Sequence, residues 1–413
     1  MNVFTSLLGC YNSVLPTIYL GLPLGDKYKG IHKWDRIIDR FNAKLAGWKK
    51  PYLTRAGKIA LINSVLSSLP VYFMSLFDMP KYVELKLERI MRNFLWNDNK
   101  SHRKLHLVKW DMICRRKRNG GLGVKKLRVM NNALWSSGYG DLPMSLRPYG
   151  GKLLMKTSRS KFQTVATVCS GTLTDLFENL NLPRRLSVEA NGEFDIIHES
   201  MAAFNLNPSC EDIFHWALTA KKKFTVNSCY KKLLTAVAVP NEDIFQFIWQ
   251  QKYPPKVAFF IWCLSHFRFP TRDSLIRKRI ATSSTCLFCN NDETTSHLFL
   301  QCEFVVGIWQ HFMGRLNVCF TMPSNVPAAL LLWQLNFDTE QKKLLWNLLA
   351  AAILWCTWNE RNARVFTNKA HNKAHVIHMV KYCLFEWALA FKDFEDVSFN
   401  AVVENCVHVY FPP

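Results

Sequence analysis

The chain is short of acids. Its 413 residues include 31 Asp and Glu against 53 Lys and Arg, a formal net charge of +22. No two aspartates are adjacent, and the acidic pairs Glu211-Asp212, Glu242-Asp243 and Glu395-Asp396 fall in stretches that read as loops. Enzymes that transfer or cleave nucleotides with two magnesium ions need converging carboxylates, so the sequence gives no catalytic residue for such chemistry. The G-x-S-x-G and H-E-x-x-H signatures are also missing. Glu360-Arg361 reads as a surface ion pair rather than an active site. Long apolar runs are absent too: Leu348 to Trp358 is the longest, far below the roughly 20 residues a membrane span requires. No basic residue precedes the apolar opening stretch, whose first charge is Asp26, so a secretory leader is not expected. The 13 cysteines are odd in number and mostly far apart. Several, such as Cys263 in FFIWCL and Cys356 in ILWCTW, sit in apolar runs, which speaks against a disulfide framework. These absences together describe a soluble intracellular protein of nucleus or cytoplasm, not secreted and with no membrane partner.

What is present is globular: 49% hydrophobic and 13% aromatic residues. The cations are concentrated. Residues 26–128 hold 25 Lys or Arg against 8 Asp or Glu, a surplus of 25 − 8 = 17. Such density fits a polyanion, bound by phosphate neutralisation and counterion release.

The fold class reads as mainly α. Residues 1–25 look extended, but from Ile31 apolar residues recur at helical spacing. Trp34, Ile37, Ile38, Phe41 and Leu45 form one stripe. A second helix is expected from Thr54, its cap, to Leu69, with Ile59, Ile62 and Leu66 buried. A third is expected over Tyr82–Trp96 on Leu85, Ile90, Phe94 and Leu95. Residues 101–128 should form a helix ending in Arg116–Arg118, then a glycine turn at Gly120, Gly121 and Gly123 that lacks phosphate-loop spacing. Residues 136–215 read as a connector. Beyond it, a strand-like Phe224-Thr-Val leads into helices near 226–234, 245–249, 256–266, 271–280 and 344–366, then a last helix and a tail. The expected division is 1–25, a basic helical region 26–135, the connector 136–215, a small helical domain 216–315, and C-terminal helices 316–413.

One constellation carries metal chemistry. Cys286, Cys289, His297 and Cys302 have the spacing C-x2-C-x7-H-x4-C. Zinc takes four such ligands in a tetrahedron, and four protein ligands leave no open position, so one structural zinc ion is expected. A five-residue step on an α-helix rotates by about 140°. His297 and Cys302 would then diverge, so the helix starting near Thr294 must end or distort before Cys302.

These residues resemble the zinc-binding domain of reverse transcriptases in plant LINE-type non-LTR retrotransposons. The match runs through Phe224-Thr-Val-Asn-Ser-Cys-Tyr230, Ile248-Trp249, Pro254-Pro255-Lys256-Val257, Phe259-Phe260-Ile261-Trp262, Thr271-Arg272-Asp273, the four ligands, Glu293-Thr294 and Ile308-Trp309. Tyr19 to Gly25 resembles the segment after the polymerase palm, residues 44–96 the thumb, and Trp355 to Asn362 a C-terminal helix of the same polyproteins. The resemblance implies that the palm with its aspartates would lie before Met1. The chain would then be a truncated product or relic without polymerase activity, for which a palm supplied elsewhere is a candidate partner.

The expected function is non-catalytic binding of RNA or DNA by the thumb-like and zinc-binding parts. Lys58, Arg115, Arg116, Lys117, Arg118, Lys125 and Lys126 would contact phosphate. The alternatives are a zinc-stabilised protein-interaction module and a non-functional transposon remnant.

Overall fold

In a computed structural model the described residues are 17–19, 22–24, 30–48, 52–96, 106–137, 218–221, 223–234, 242–315, 321–335, 337 and 339–394. Nearly all of the expected connector and the C-terminal tail lie outside them. The described chain is mainly α. The one sheet among these residues is a short hairpin at the expected extended start, Thr17–Tyr19 (β1) paired antiparallel with Leu22–Leu24 (β2).

The chain divides into two compact units. The larger comprises residues 1–72, 79–127 and 237–413, and the smaller residues 73–78 and 128–236. Compactness therefore groups the basic helical region with the segment that bears the cysteines.

The larger unit opens with α1, Asp35–Gly47, whose buried side chains are the expected Ile37, Ile38, Phe41 and Leu45. Arg55–Leu61 (α2) begins on Thr54, whose hydroxyl accepts a hydrogen bond from the Gly57 amide at 3.1 Å. It continues as a widened π-helical turn over Ile62–Leu66 before Pro70. α3 (Val71–Leu76) follows, its last four residues belonging to the smaller unit. α4, Lys81–Trp96, forms where expected, with Phe94 and Leu95 buried as expected. Val83, Leu87 and Met91 join them, while Leu85 is 46% exposed. The four-residue steps from Val83 through Leu87 and Met91 to Leu95 keep large side chains in register, which outweighs Leu85 and Ile90.

The expected helix before Arg116–Arg118 is only one turn, Trp110–Ile113 (α5). A 3-10 turn at Lys117–Asn119 then ends on Gly120 in the left-handed region (φ 76°). Gly121 has no room for a side chain, because a Cβ there would lie 2.0 Å from the Arg115 carbonyl oxygen. This basic turn is fastened to the core by one acceptor, the Gly120 carbonyl. It lies 2.9 Å from the Trp262 indole nitrogen and 2.7 Å from His266 Nε2.

Smaller-unit helices are Leu127–Ser137 (α6) and Val226–Leu233 (α7). Phe224-Thr225 is not a strand: the Thr225 hydroxyl caps α7 by accepting from the Ser228 amide at 3.1 Å. Asn131 donates to the Met74 and Phe77 carbonyls at 2.7 and 3.0 Å, satisfying the end of the preceding turn.

The core of the larger unit is Pro255–Ser265 (α9), which follows Glu242–Gln250 (α8) and is buried on all sides from Val257 to Ser265. A helix apolar all round belongs at a centre. Phe260 meets Phe269, Phe299 and Trp355 edge-on, with ring centroids 5.2, 6.0 and 5.3 Å away. The short Arg272–Arg277 (α10), Glu303–Arg315 (α11), Val326–Leu332 (α12), the long Glu340–Phe366 (α13) and Lys373–Ala388 (α14) complete the unit. Trp333 and Trp346 lock α12 to α13. Their rings stack at 4.2 Å, and each indole donates to the other's carbonyl, at 2.8 and 2.6 Å. Replacing Trp346 by Phe keeps the stack but leaves the Trp333 carbonyl without this donor. The expected loss is about 1–3 kcal/mol, read as a lower urea midpoint with an unchanged slope.

Candidate metal centre

The ligand-bearing segment is almost all turn, and backbone hydrogen bonds shape it. Glu293 N donates to Ser284 O and Cys286 N to Asn291 O, both at 2.7 Å, closing a narrow loop around Thr285 and Asp292. Cys286 and Cys289 sit at its tip, where the Phe288 amide points at Cys286 Sγ from 3.4 Å. Thr294 then starts a helical turn by accepting from His297 N at 3.1 Å. The next five residues, His297–Gln301, form a π-helical turn closed by Cys302 N donating to His297 O at 2.7 Å. That i→i+5 bond is the expected distortion: it lays residue i+5 beside residue i. Cys302 itself is extended (φ −63°, ψ 128°) and ends the helix.

The widened turn brings the four expected ligands together. Their donor atoms all lie within 4.8 Å of one another. His297 Nε2 is 3.1 Å from Cys289 Sγ, and Cys302 Sγ is 3.8 Å from Cys289 Sγ. Two thiolates bound to one tetrahedral zinc at about 2.3 Å each sit about 3.8 Å apart, so this donor set fits that ion. A hydrogen bond from Cys302 holds the Cys286 thiol down to about 5, and the same bond pushes Cys302 up. The thiolate is the form a metal binds.

A second ring of groups fixes the loop from outside, and here the sequence reading is corrected. Glu360 and Arg361 are not a surface pair; they are 5% and 3% exposed and each serves a different partner. Arg361 grips Glu293, a fully buried carboxylate, at 2.7 Å, and lies over the Trp358 ring at 5.1 Å. Glu293 also accepts from the Arg272 amide at 3.0 Å. Glu360 takes Arg364 and His371, each at 2.8 Å. Burial alone would raise the Glu360 carboxyl, but those hydrogen bonds overcome it and leave it below the usual value. Arg364 donates to Leu287 O, inside the Cys286–Cys289 step, at 2.9 Å, and its guanidinium lies 4.6 and 5.1 Å from the rings of Phe288 and Phe304, which stack on each other at 4.8 Å. Glu293 and Arg361 stand 68 positions apart, and no local pattern joins them.

The expected phosphate contacts do not all face outward. Lys58 is fully buried, with its ammonium 5.8 Å over the Phe94 ring, so it presents nothing to a phosphate. Its apolar stem suits the core face of α2, a placement charge counting does not reveal. Lys126 is tied to Asp111 at 2.8 Å; that bond lowers the Asp111 carboxyl and raises the Lys126 ammonium. Arg115, Arg116 and Lys125 are half-buried, while Lys117 and Arg118 are exposed. Lys117 also rests over the Trp249 ring at 4.7 Å.

Residues 224–309 match the family described as zinc-binding in reverse transcriptase. Over 415 aligned residues the chain is 23% identical to "Putative ribonuclease H protein At1g65750" of Arabidopsis thaliana, covering 84% of this chain and 66% of that protein. It is 40% identical over 68 residues to "Uncharacterized mitochondrial protein AtMg00310" of the same plant, covering 16% of this chain and 44% of that one. The chain therefore spans just under two thirds of the longer match. The retrotransposon-type resemblance read from the motifs holds. Among the described residues no helix is long and apolar enough to cross a membrane.

The clamp around the domain is testable. Arg361→Met leaves Glu293 charged, buried and without its guanidinium, and is expected to cost about 3–5 kcal/mol in chemical denaturation. Glu293→Gln in the same chain removes the stranded charge and is expected to recover part of that loss.

Proposed function

We propose that this chain is a non-catalytic, nucleic-acid-binding part of a retrotransposon reverse transcriptase system, built around one structural zinc ion. Cys286, Cys289, His297 and Cys302 hold the ion. The convergence of their four donor atoms within 4.8 Å carries this reading. The metal, when bound, supplies cross-linking of a loop that has little apolar surface of its own, and no open coordination site is needed for that role. The chain's residues do the rest: Glu293, Arg361 and Arg364 anchor the loop to α13.

Binding of RNA or DNA is assigned to the basic turn after α5. Lys117 and Arg118 reach solvent there, with Arg115, Arg116 and Lys125 beside them. The +22 net charge and the family's occurrence in reverse transcriptases support this partner class. Lys58 is dropped from the contact set because it is buried, and Lys126 is secondary because Asp111 holds it. We assign the chain no polymerase or ribonuclease H activity of its own, since its 31 acids are scattered and no two aspartates adjoin. A palm supplied by another protein would complete the machinery.

Elemental analysis of purified protein is expected to find one zinc per chain. Cys289→Ser should lose it and lower the melting midpoint, whereas Cys263→Ser should keep it. Metal-free protein that melts like the untreated chain would remove the zinc reading. Binding to RNA is expected to weaken steeply with salt, and glutamine at Arg115, Arg116, Lys117 and Arg118 should flatten that dependence. A salt-independent titration, or cleavage of an RNA–DNA hybrid by the purified chain, would overturn the assignment.

A further inference from the structure

A second run of cations follows the core helix α9 and is not used by the reading above. Residues 266–283 hold five of them, Arg268, Arg272, Arg277, Lys278 and Arg279, against one acid, Asp273. That acid is already paired with Arg277 at 3.0 Å. Helix α10 ends in a reversing turn: Ile280 N donates to Leu275 O at 2.9 Å and Arg279 N to Ile276 O at 2.8 Å. Arg279 takes the left-handed position (φ 57°) that favours glycine in such turns. The turn leaves Arg277, Lys278 and Arg279 exposed in succession. Burial and then the fields of Arg268 and Arg277 lower the Lys278 ammonium, so these cations stand close together.

Beside this turn lies an open groove of about 560 Å³, within the range of ligand pockets. Trp358 and Arg361 line it together with Leu275, Ile280, Val365 and Phe366. Phe366, at the end of α13, is 77% exposed, and Ile280 is 56% exposed. Asn362 and Ser283 add polar atoms to the lining. The exposed cations Arg277, Lys278 and Arg279 lie on the turn between the lining residues Leu275 and Ile280, and Arg272 is itself in the lining. The groove thus offers a ring for a base, with ammonium and guanidinium groups on the adjoining turn for its phosphates. A paired base could not reach such a ring. An apolar protein segment would leave those cations unanswered.

We propose that this groove binds single-stranded nucleic acid, with an unpaired base stacked on Phe366 and the flanking phosphates on Lys278 and Arg279. The proposal rests on the nucleic-acid reading and names a second contact for it.

The test is fluorescence anisotropy with the zinc-loaded full chain, using a labelled oligouridylate and a labelled RNA duplex over a salt series. Phe366→Leu is expected to weaken oligouridylate binding at least about fivefold and to leave duplex binding unchanged. Phe366→Trp is expected to restore it. Lys278→Gln with Arg279→Gln should reduce the logarithmic salt slope by roughly 1.4, two single-strand phosphate contacts. These positions are exposed, so zinc content and melting should match the parent. If these variants bind oligouridylate like the parent, the groove is not the site. The nucleic-acid reading then stands if the variant neutralised at Arg115–Arg118 loses affinity. Equal losses on duplex and single strand from Phe366→Leu also overturn the stacking role. No salt-dependent binding by the parent overturns both.

Discussion

A carboxylate with no access to water is costly unless a cation reaches it, and Glu293 meets that demand by drawing Arg361 in from a distant helix. The rest of the ligand-bearing region follows from this bond. Once Arg361 is committed, α13 must run past the loop. Arg364, nearly one turn further on, then falls on the Leu287 carbonyl and the Phe288 ring. A segment that could not hold its own shape borrows rigidity from a helix of 27 residues. The four donor side chains converge inside the loop, and the arginines fix it from outside.

The same economy governs the cations. The formal charge of +22 counts every lysine and arginine alike, yet the fold spends several of them internally. Lys58 lines the core, Lys126 answers Asp111, and Arg361 and Arg364 hold the loop. Among the described residues, exposed cations lie on helix faces, such as Arg36, Arg40 and Lys44 of α1, and on turns, such as Lys117, Arg118 and Arg277–Arg279. The basic turn after α5 is presented by glycines that permit its tight path and by the Gly120 carbonyl that Trp262 and His266 approach. Availability of charge is decided by packing, which composition does not record.

Much of this was legible in the sequence. Periodicity gave the buried stripe of α1 without error, because every apolar residue there lies on one face. It misjudged α4, where Leu85 and Ile90 offer a second, weaker stripe and only the partner helices choose between them. The spacing singled out the four side chains that converge and required the break before Cys302, since the rotation of a regular helix forbids the pairing. The pairing of Glu293 with Arg361 was hidden. Two opposite charges far apart in sequence carry no mutual signal, and adjacent Glu360 and Arg361 look like each other's partner. Thr225 was misread for a related reason: a cap and a strand share the same β-forming residue types.

The π-helical turn at His297–Gln301 sets a limit on how this chain can change over generations. Most loops absorb a gained or lost codon with little harm. Here the count itself is functional. Four residues between imidazole and thiolate are what a turn of this width accommodates. Adding one would carry the last sulfur round the helix and away from the other three donors. A single in-frame insertion at this point should therefore be far rarer among descendants than any conservative exchange of Leu298, Phe299 or Leu300.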